Sequence, residues 1–197
     1  MKIKRGYIVG LAFALLGVIC FFFDRTILSF LTYYQNPIFG IFFSLFEEYT
    51  VFILLILGLL AVMIYKKDKD SPKKLVMSLI LTILIVIFLK LLFARERPFE
   101  FIDYFPFTNI QDYSFPSNHA AIAFAILPFL LKEFKKLKYL CIVFAILAAY
   151  SRIYLGVHYL SDVIFGALIG YFTSEYMINL NNKKFKRKVK LNKKKKL

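Results

Sequence analysis

Long apolar runs, each closed by a charged or polar break, constrain this chain more than any other feature. They cover residues 6–23, 49–65, 75–94, 117–134, 139–154 and 158–178. A helix of about 20 residues crosses a hydrocarbon core roughly 30 Å thick, and several of these runs reach that scale. They are continuous rather than alternating, which argues against a transmembrane barrel. A soluble domain is nearer half apolar; this chain of 197 residues is 60% hydrophobic, with a mean hydropathy of +0.66. The expected fold is all-α: a polytopic membrane protein with six transmembrane helices in one bundle, residues 1–178. Short interfacial helices are expected within 24–48, and a disordered basic cytoplasmic tail over 179–197.

Local signals place the boundaries. Lys2, Lys4 and Arg5 precede the first run, which ends FFFDR. No small-residue cleavage site follows, so the run reads as a retained helix rather than a signal peptide. Residues 24–48 are aromatic and broken at Asn36-Pro37; they read as one interfacial helix or two. Ser71-Pro72 suits a helix start. Pro128 should kink the fourth run. Gly166 and Gly170 form a GxxxG that permits close helix packing. Cys20 and Cys141 lie inside apolar runs without metal-like spacing, so a disulfide is not expected.

Six crossings would put alternate loops on opposite sides, and the charges test that arrangement. Of 27 Lys and Arg residues, three lie at the N-terminus, five in the loop 66–74, four in the loop 132–138 and ten in the tail. These segments share one side, which the positive-inside rule makes cytoplasmic, with both termini there. The net charge of +15 then reports topology and contact with anionic membrane lipids. Nucleic acid is not an expected partner, because the tail lacks interleaved aromatics and a folded platform. Arg25, Lys90, Arg95, Arg97 and Arg152 remain for the other side. Cations kept near a bilayer against the topological preference are functional candidates.

That outer side gathers three segments. The end of the third run supplies Lys90, Arg97 and Pro98. The start of the fourth supplies Pro116, Ser117, Asn118 and His119. The junction of the last two runs supplies Arg152, His158 and Asp162. Three cations beside a helix N-terminus suit an anion such as phosphate. If a helix starts near His158, that residue and Asp162 stand one turn apart on one face. The pair reads either as a histidine made basic or nucleophilic by a carboxylate, or as a polar cap on a helix end. Arg95 and Glu96 read as a solvated loop pair; Glu100, Asp103 and Asp112 read either as solvated or as restraining the net positive potential near the site. Glu47 and Glu48 receive no role. The rings of Phe99, Phe101, Tyr104, Phe105, Phe107, Tyr113 and Phe115 read either as an interfacial surface beside the site or as a small lid core.

KLLFARERP (90–98), PSNH (116–119) and SRIYLGVHYLSD (151–162) together resemble the three signature motifs of the type 2 phosphatidic acid phosphatase family, which shares a superfamily with vanadium haloperoxidases. Those motifs are K-x6-R-P, P-S-G-H and S-R-x5-H-x3-D. All three stand in the family's order, and the resemblance covers roughly 75–178. One position departs: Asn118 stands where the family usually has Gly, which touches the amide contact and the substrate fit. Asn tolerates positive φ better than most residues, so the site is expected to survive.

The resemblance implies that His158 attacks phosphorus to give a phosphohistidine, oriented by Asp162. His119 would protonate the leaving oxygen and then activate water. Lys90, Arg97, Ser117, Asn118 and Arg152 would hold the phosphoryl oxygens. The expected activity is hydrolysis of a lipid phosphomonoester or diphosphate, such as a polyprenyl diphosphate, phosphatidic acid or phosphatidylglycerol phosphate, on the extracytoplasmic face of the cell membrane. No metal or other cofactor is expected, since the cations gather without a carboxylate cluster. The alternatives are a lipid phosphotransferase with the same site and a non-catalytic lipid-phosphate transporter or binding protein.

Overall fold

The computed structural model describes residues 2–33, 35–68, 70–98 and 112–194. Among these there are helices and no strands: α1 (Lys2–Tyr33), α2 (Pro37–Ser44), α3 (Tyr49–Tyr65), α4 (Ser71–Phe93), α5 (Asn118–Glu133), α6 (Lys138–Tyr154) and α7 (Leu160–Lys194), with a 3-10 turn at Lys135–Leu137. Four are long and apolar enough to cross a membrane, and α2 with α3, bent by 45°, makes a fifth candidate. The protein is a multi-pass membrane protein. The sixth expected crossing, α5, has 16 residues, about 24 Å of helix.

α1 continues for 32 residues, so the first of the two short segments anticipated in 24–48 is simply its outer end. It does not break at Asp24-Arg25 because Asp24 is 2% exposed and fully partnered. The break does fall at Asn36-Pro37. The Asn36 side chain accepts the Ile38 N–H at 2.8 Å, and Pro37 opens α2 where no N–H is needed. α7 also runs further than expected. The helix extends past residue 178 to Lys194, in keeping with the good helix propensity of Lys.

α5 is the axis of the bundle, packing against α3, α4, α6 and α7. Its buried face is built on Ala120, Ala121, Ala123 and Ala125, small residues that let neighbouring backbones approach. The GxxxG of α7 answers them. A Cβ on Gly170 would stand 1.9 Å from the Ala121 carbonyl oxygen, and one on Gly166 would stand 2.5 Å from that of Ser117. Polar side chains add crosslinks: the Ser174 hydroxyl donates to the Ala125 carbonyl at 2.6 Å, and Thr82 and Thr173 share a hydrogen bond at 2.6 Å. Outward faces carry rings and aliphatics such as Phe22, Phe88 and Leu91, which suits hydrocarbon. Cys20 and Cys141 are free and buried.

The two ends of α5 lie at opposite poles. At one, Lys66 pairs with Glu133 at 3.0 Å and Lys132 with Asp68 at 2.8 Å. The two basic loops therefore do share a side, as the charge distribution required. At the other pole, the Ser117 N–H donates to the Asp162 carbonyl at 3.0 Å, and the three motif segments converge.

Candidate active site

Each motif segment is set by a helix end. α4 closes on Ala94, whose φ of 42° is left-handed and whose N–H returns to the Lys90 carbonyl at 2.9 Å. That conformation is unfavourable for a residue with a Cβ; it turns the chain so that Arg95 and Arg97 enter the site. Ser117 is the N-cap of α5, its hydroxyl accepting the Ala120 N–H at 3.4 Å. Asn118 is the first helical residue, and its φ is not positive. The Gly-to-Asn departure therefore needs no unusual backbone. α6 ends at Tyr154 and is capped by Leu155; the chain then turns at Gly156, whose φ of 67° is natural for glycine. The turn brings the N–H groups of Val157 and His158 onto the Arg152 carbonyl at 3.2 and 3.1 Å. α7 then begins at Leu160, two residues after His158, and the Asp162 carboxylate caps it by accepting the Tyr159 N–H at 2.9 Å.

His158 is 2% exposed and Asp162 fully buried. His158 Nδ1 lies 3.6 Å from Asp162 Oδ2 and 3.4 Å from Ser114 Oγ. Its other nitrogen, Nε2, faces Arg97 Nη1 at 3.3 Å. A guanidinium can only donate, so Nε2 carries the lone pair and Nδ1 the proton. Burial pushes the imidazole well below its ordinary value, and the charges of Arg97, Lys90 and Arg152 push it the same way. The group is thus a neutral imidazole with its lone pair aimed at the cations.

Lys90 and Arg97 meet on one carboxylate. Lys90 Nζ is 3.0 Å from Asp112 Oδ2, and Arg97 Nη2 pairs with Oδ1. Of the two readings open for Asp112, solvated or restraining the positive potential near the site, the second fits: it bridges both clamp cations. Burial alone would raise its carboxyl, but Arg97 and Lys90 outweigh that and hold it below the usual carboxylate range. Arg152 is different. It is 1% exposed, and among the described residues its Nε and Nη1 have no hydrogen-bond partner. Among the described residues the one other buried side-chain atom in that state is Glu47 Oε1.

His119 is held from the α2–α3 junction. Its Nε2 donates to the Glu47 carbonyl at 2.7 Å, its ring stacks on Tyr49 at 4.4 Å, and Phe52 meets it edge-on at 5.7 Å. Since a carbonyl only accepts, Nε2 bears the proton and Nδ1 is the nitrogen left for chemistry. Glu47 and Tyr49 had no assigned role in the sequence, and no signal there links them to His119.

Arg95 corrects the solvated-pair reading most directly. Its Nη1 donates to Asp162 Oδ1 at 2.6 Å and to Ser161 Oγ at 2.8 Å, and its Nη2 to Asp24 Oδ2 at 2.8 Å. Of the aromatic segment, Phe115 is buried against Phe93 and Phe165, whereas Tyr113 is half exposed. Phe99, Phe101, Tyr104, Phe105 and Phe107, with Glu100 and Asp103, lie outside the described residues. The described residues also contain no group of three or more His, Cys, Asp or Glu side chains spaced to hold a metal ion.

A neutral histidine backed by a carboxylate, two cations on a half-exposed carboxylate and a buried guanidinium with two nitrogens free of hydrogen bonds among the described residues suit a tetrahedral oxyanion. Comparison with known proteins agrees. The chain is 34% identical over 123 residues to an undecaprenyl-diphosphatase of Sulfolobus acidocaldarius, a match covering 61% of this chain and 60% of that protein's length. It is 26% identical to a lipid A 4'-phosphatase of Porphyromonas gingivalis, over 78% of this chain and 71% of that one. The fold matches the crystal structure of a transmembrane PAP2-type phosphatidylglycerolphosphate phosphatase from Bacillus subtilis with a TM-score of 0.72 at 23% identity, covering 88% of this chain and 96% of that one. It matches LpxE of Aquifex aeolicus with a TM-score of 0.68 at 28% identity, over 79% and 94%. The family model described as the PAP2 superfamily matches residues 72–186, more than half of the chain. The chain belongs to the PAP2 superfamily.

Proposed function

We propose that this protein is an integral membrane phosphatase that hydrolyses a lipid phosphomonoester or the terminal phosphate of a lipid diphosphate through a phosphohistidine. The observation that carries the reading is Arg152: a guanidinium 1% exposed, two of whose nitrogens have no hydrogen-bond partner among the described residues, at the turn that presents His158. Burying a charge costs several kcal/mol of desolvation, and a phosphoryl group would supply the hydrogen bonds that the charge of Glu47 alone does not. In the proposed reaction, the His158 Nε2 lone pair forms a bond to phosphorus as the P–O bond to the lipid breaks. His119, protonated at Nδ1, gives that proton to the leaving oxygen. It then takes a proton from water, whose oxygen attacks phosphorus; the P–N bond breaks and inorganic phosphate leaves. Lys90, Arg97, Arg152 and the N-terminus of α5 at Ser117 and Asn118 neutralise the equatorial oxygens. Phosphoryl transfer depends mainly on such positioning and charge.

In this reading the chain crosses the membrane six times, α5 included, with both termini cytoplasmic and the site on the extracytoplasmic face. The excess of Lys and Arg at the opposite pole supports that orientation. The names of the relatives, an undecaprenyl-diphosphatase and a lipid A 4'-phosphatase, favour polyprenyl diphosphates and glycolipid phosphates as first substrates to try. The test is release of inorganic phosphate from a panel of purified lipid phosphates and diphosphates, with and without chelator. Release that survives the chelator is the expected result. Binding without release would favour a transporter, and transfer to a second lipid a phosphotransferase.

A further inference from the structure

Behind the His158–Asp162 pair, on the side away from the clamp cations, lies a second polar chain. Asp162 Oδ2 accepts from the Ser114 hydroxyl and the Tyr159 N–H and faces His158. Oδ1 accepts from Arg95 at 2.6 Å. The other arm of the same guanidinium is held by Asp24 of α1 at 2.8 Å. Asp24 Oδ1 also accepts the Ser161 N–H at 3.0 Å, and Oδ2 accepts the Ser161 hydroxyl. The guanidinium is stacked between two rings, 4.6 Å from the centre of Phe21 and 4.1 Å from that of Tyr159. Its orientation is therefore fixed by two carboxylates, a hydroxyl and two aromatic faces.

We infer that Arg95 and Asp24 are positioning residues for the His158–Asp162 pair, so that α1, outside the matched family region, sets the carboxylate behind the nucleophile. The inference rests on the function proposed above. Its physical basis is that Asp162 is fully buried. A carboxylate without a cation on one oxygen would turn that oxygen toward another donor, and the donor at hand is His158 or Ser114. Either rotation shifts Oδ2 relative to the His158 Nδ1–H and so changes the contact that orients the ring. With Arg95 in place both oxygens are engaged, and His158 keeps Nδ1–H and a bare Nε2. A simple staple between α1 and α7 would need only the contact of Asp24 with Ser161. Arg95 instead makes its shortest contact with Asp162.

Arg95→Met, Arg95→Lys and Asp24→Asn test this in the full-length protein in detergent, assayed on dioctanoyl phosphatidic acid. Arg95→Met and Asp24→Asn should lower kcat at least about tenfold, the scale on which outer hydrogen-bonding partners act, with KM within about twofold. Arg95→Lys keeps the charge but cannot bridge both carboxylates, so it should recover part of the loss and serves if Arg95→Met fails to fold. A second readout needs no turnover. The chain has two histidines, so 15N imidazole spectra of histidine-labelled protein are assigned with one His119→Gln sample. The wild type should show His158 as the Nδ1–H tautomer, and Arg95→Met and Asp24→Asn should keep that tautomer but shift its Nδ1 resonance as the Asp162 contact changes. An unchanged Nδ1 resonance with an unchanged kcat would overturn the inference, as would an unchanged Nδ1 resonance with a raised KM alone. A wild type that releases no phosphate would defeat the proposed function, while the Nδ1 resonance still decides the inference.

Discussion

The backbone N–H of His158 donates to the carbonyl of Arg152 at 3.1 Å. One turn thus joins the proposed nucleophile to a guanidinium two of whose nitrogens have no hydrogen bond among the described residues. The fold holds this charge at a cost, since unsatisfied buried donors typically cost about 1–3 kcal/mol and charged ones more. Arg152→Met keeps the volume and removes the charge. It should unfold at a higher temperature than the wild type, by the equivalent of roughly 1–3 kcal/mol, while losing at least about a hundredfold in phosphate release. Thermal unfolding in detergent and steady-state assays on the same preparation check both halves.

The clamp cations are not empty in the same sense, because Asp112 already bridges Lys90 and Arg97. Its side chain is 46% exposed, so the pairing is weak enough for a phosphate to displace. Removing a competitor worth about 1 kcal/mol tightens anion binding roughly fivefold. Asp112→Asn should therefore be inhibited by vanadate at several-fold lower concentration than the wild type. Dose–response curves at fixed ionic strength measure this.

The glycines of α7 make unequal demands. At Gly170 a Cβ would lie 1.9 Å from the Ala121 carbonyl oxygen and 2.8 Å from the Ala125 nitrogen, both backbone atoms that cannot step aside. Overpacking of this kind costs about 1–3 kcal/mol or more, so Gly170→Ala should lower the unfolding midpoint clearly. At Gly166 the Cβ meets Ser117 at 2.5 Å. Gly166→Ala should cost less stability but more activity, because it displaces the N-cap of α5. Comparing midpoint and kcat for the two variants separates the effects.

The depressed proton affinity of His158 makes stability depend on pH with a definite sign. Burial first, and then Arg97, Lys90 and Arg152, hold its folded value well below 6.5. Below pH 6.5 the unfolded chain takes up a proton that the folded protein refuses. Stability is thus full above that pH and is lost as pH falls toward the folded value, by at most about 1.4 kcal/mol per pH unit. Unfolding midpoints between pH 7 and pH 5 should fall more steeply for the wild type than for His158→Asn. Asp112 does not obscure this window: its carboxyl is also held low, so its contribution persists until the pH drops below the carboxylate range.

What could be read from the residues follows from how local each signal is. The apolar runs and the Lys and Arg distribution are local, and they anticipated the helices and the pairing of loops 66–74 and 132–138. The three motifs are local too, and each marks a helix end that reaches one pole. Arg95 was misread because its meaning depends on Asp24, 71 residues earlier, and on Ser161 and Asp162, 66 and 67 residues later. Asp24 in turn looked like the end of a span, since a lone carboxylate in an apolar run gives no hint of the guanidinium that satisfies it. Glu47 holds His119 through a backbone carbonyl, an acceptor every residue possesses. No residue type could have announced it.

Phosphoryl transfer to His158 is the claim on which the rest depends. The most direct measurement is phosphate release by purified, folded His158→Ala alongside His119→Ala on the same lipid phosphate. A positioned general acid contributes about 10²–10⁴ in rate, so His119→Ala should remain a slow enzyme while His158→Ala shows no turnover above the uncatalysed background. Wild-type release by His158→Ala would contradict the account.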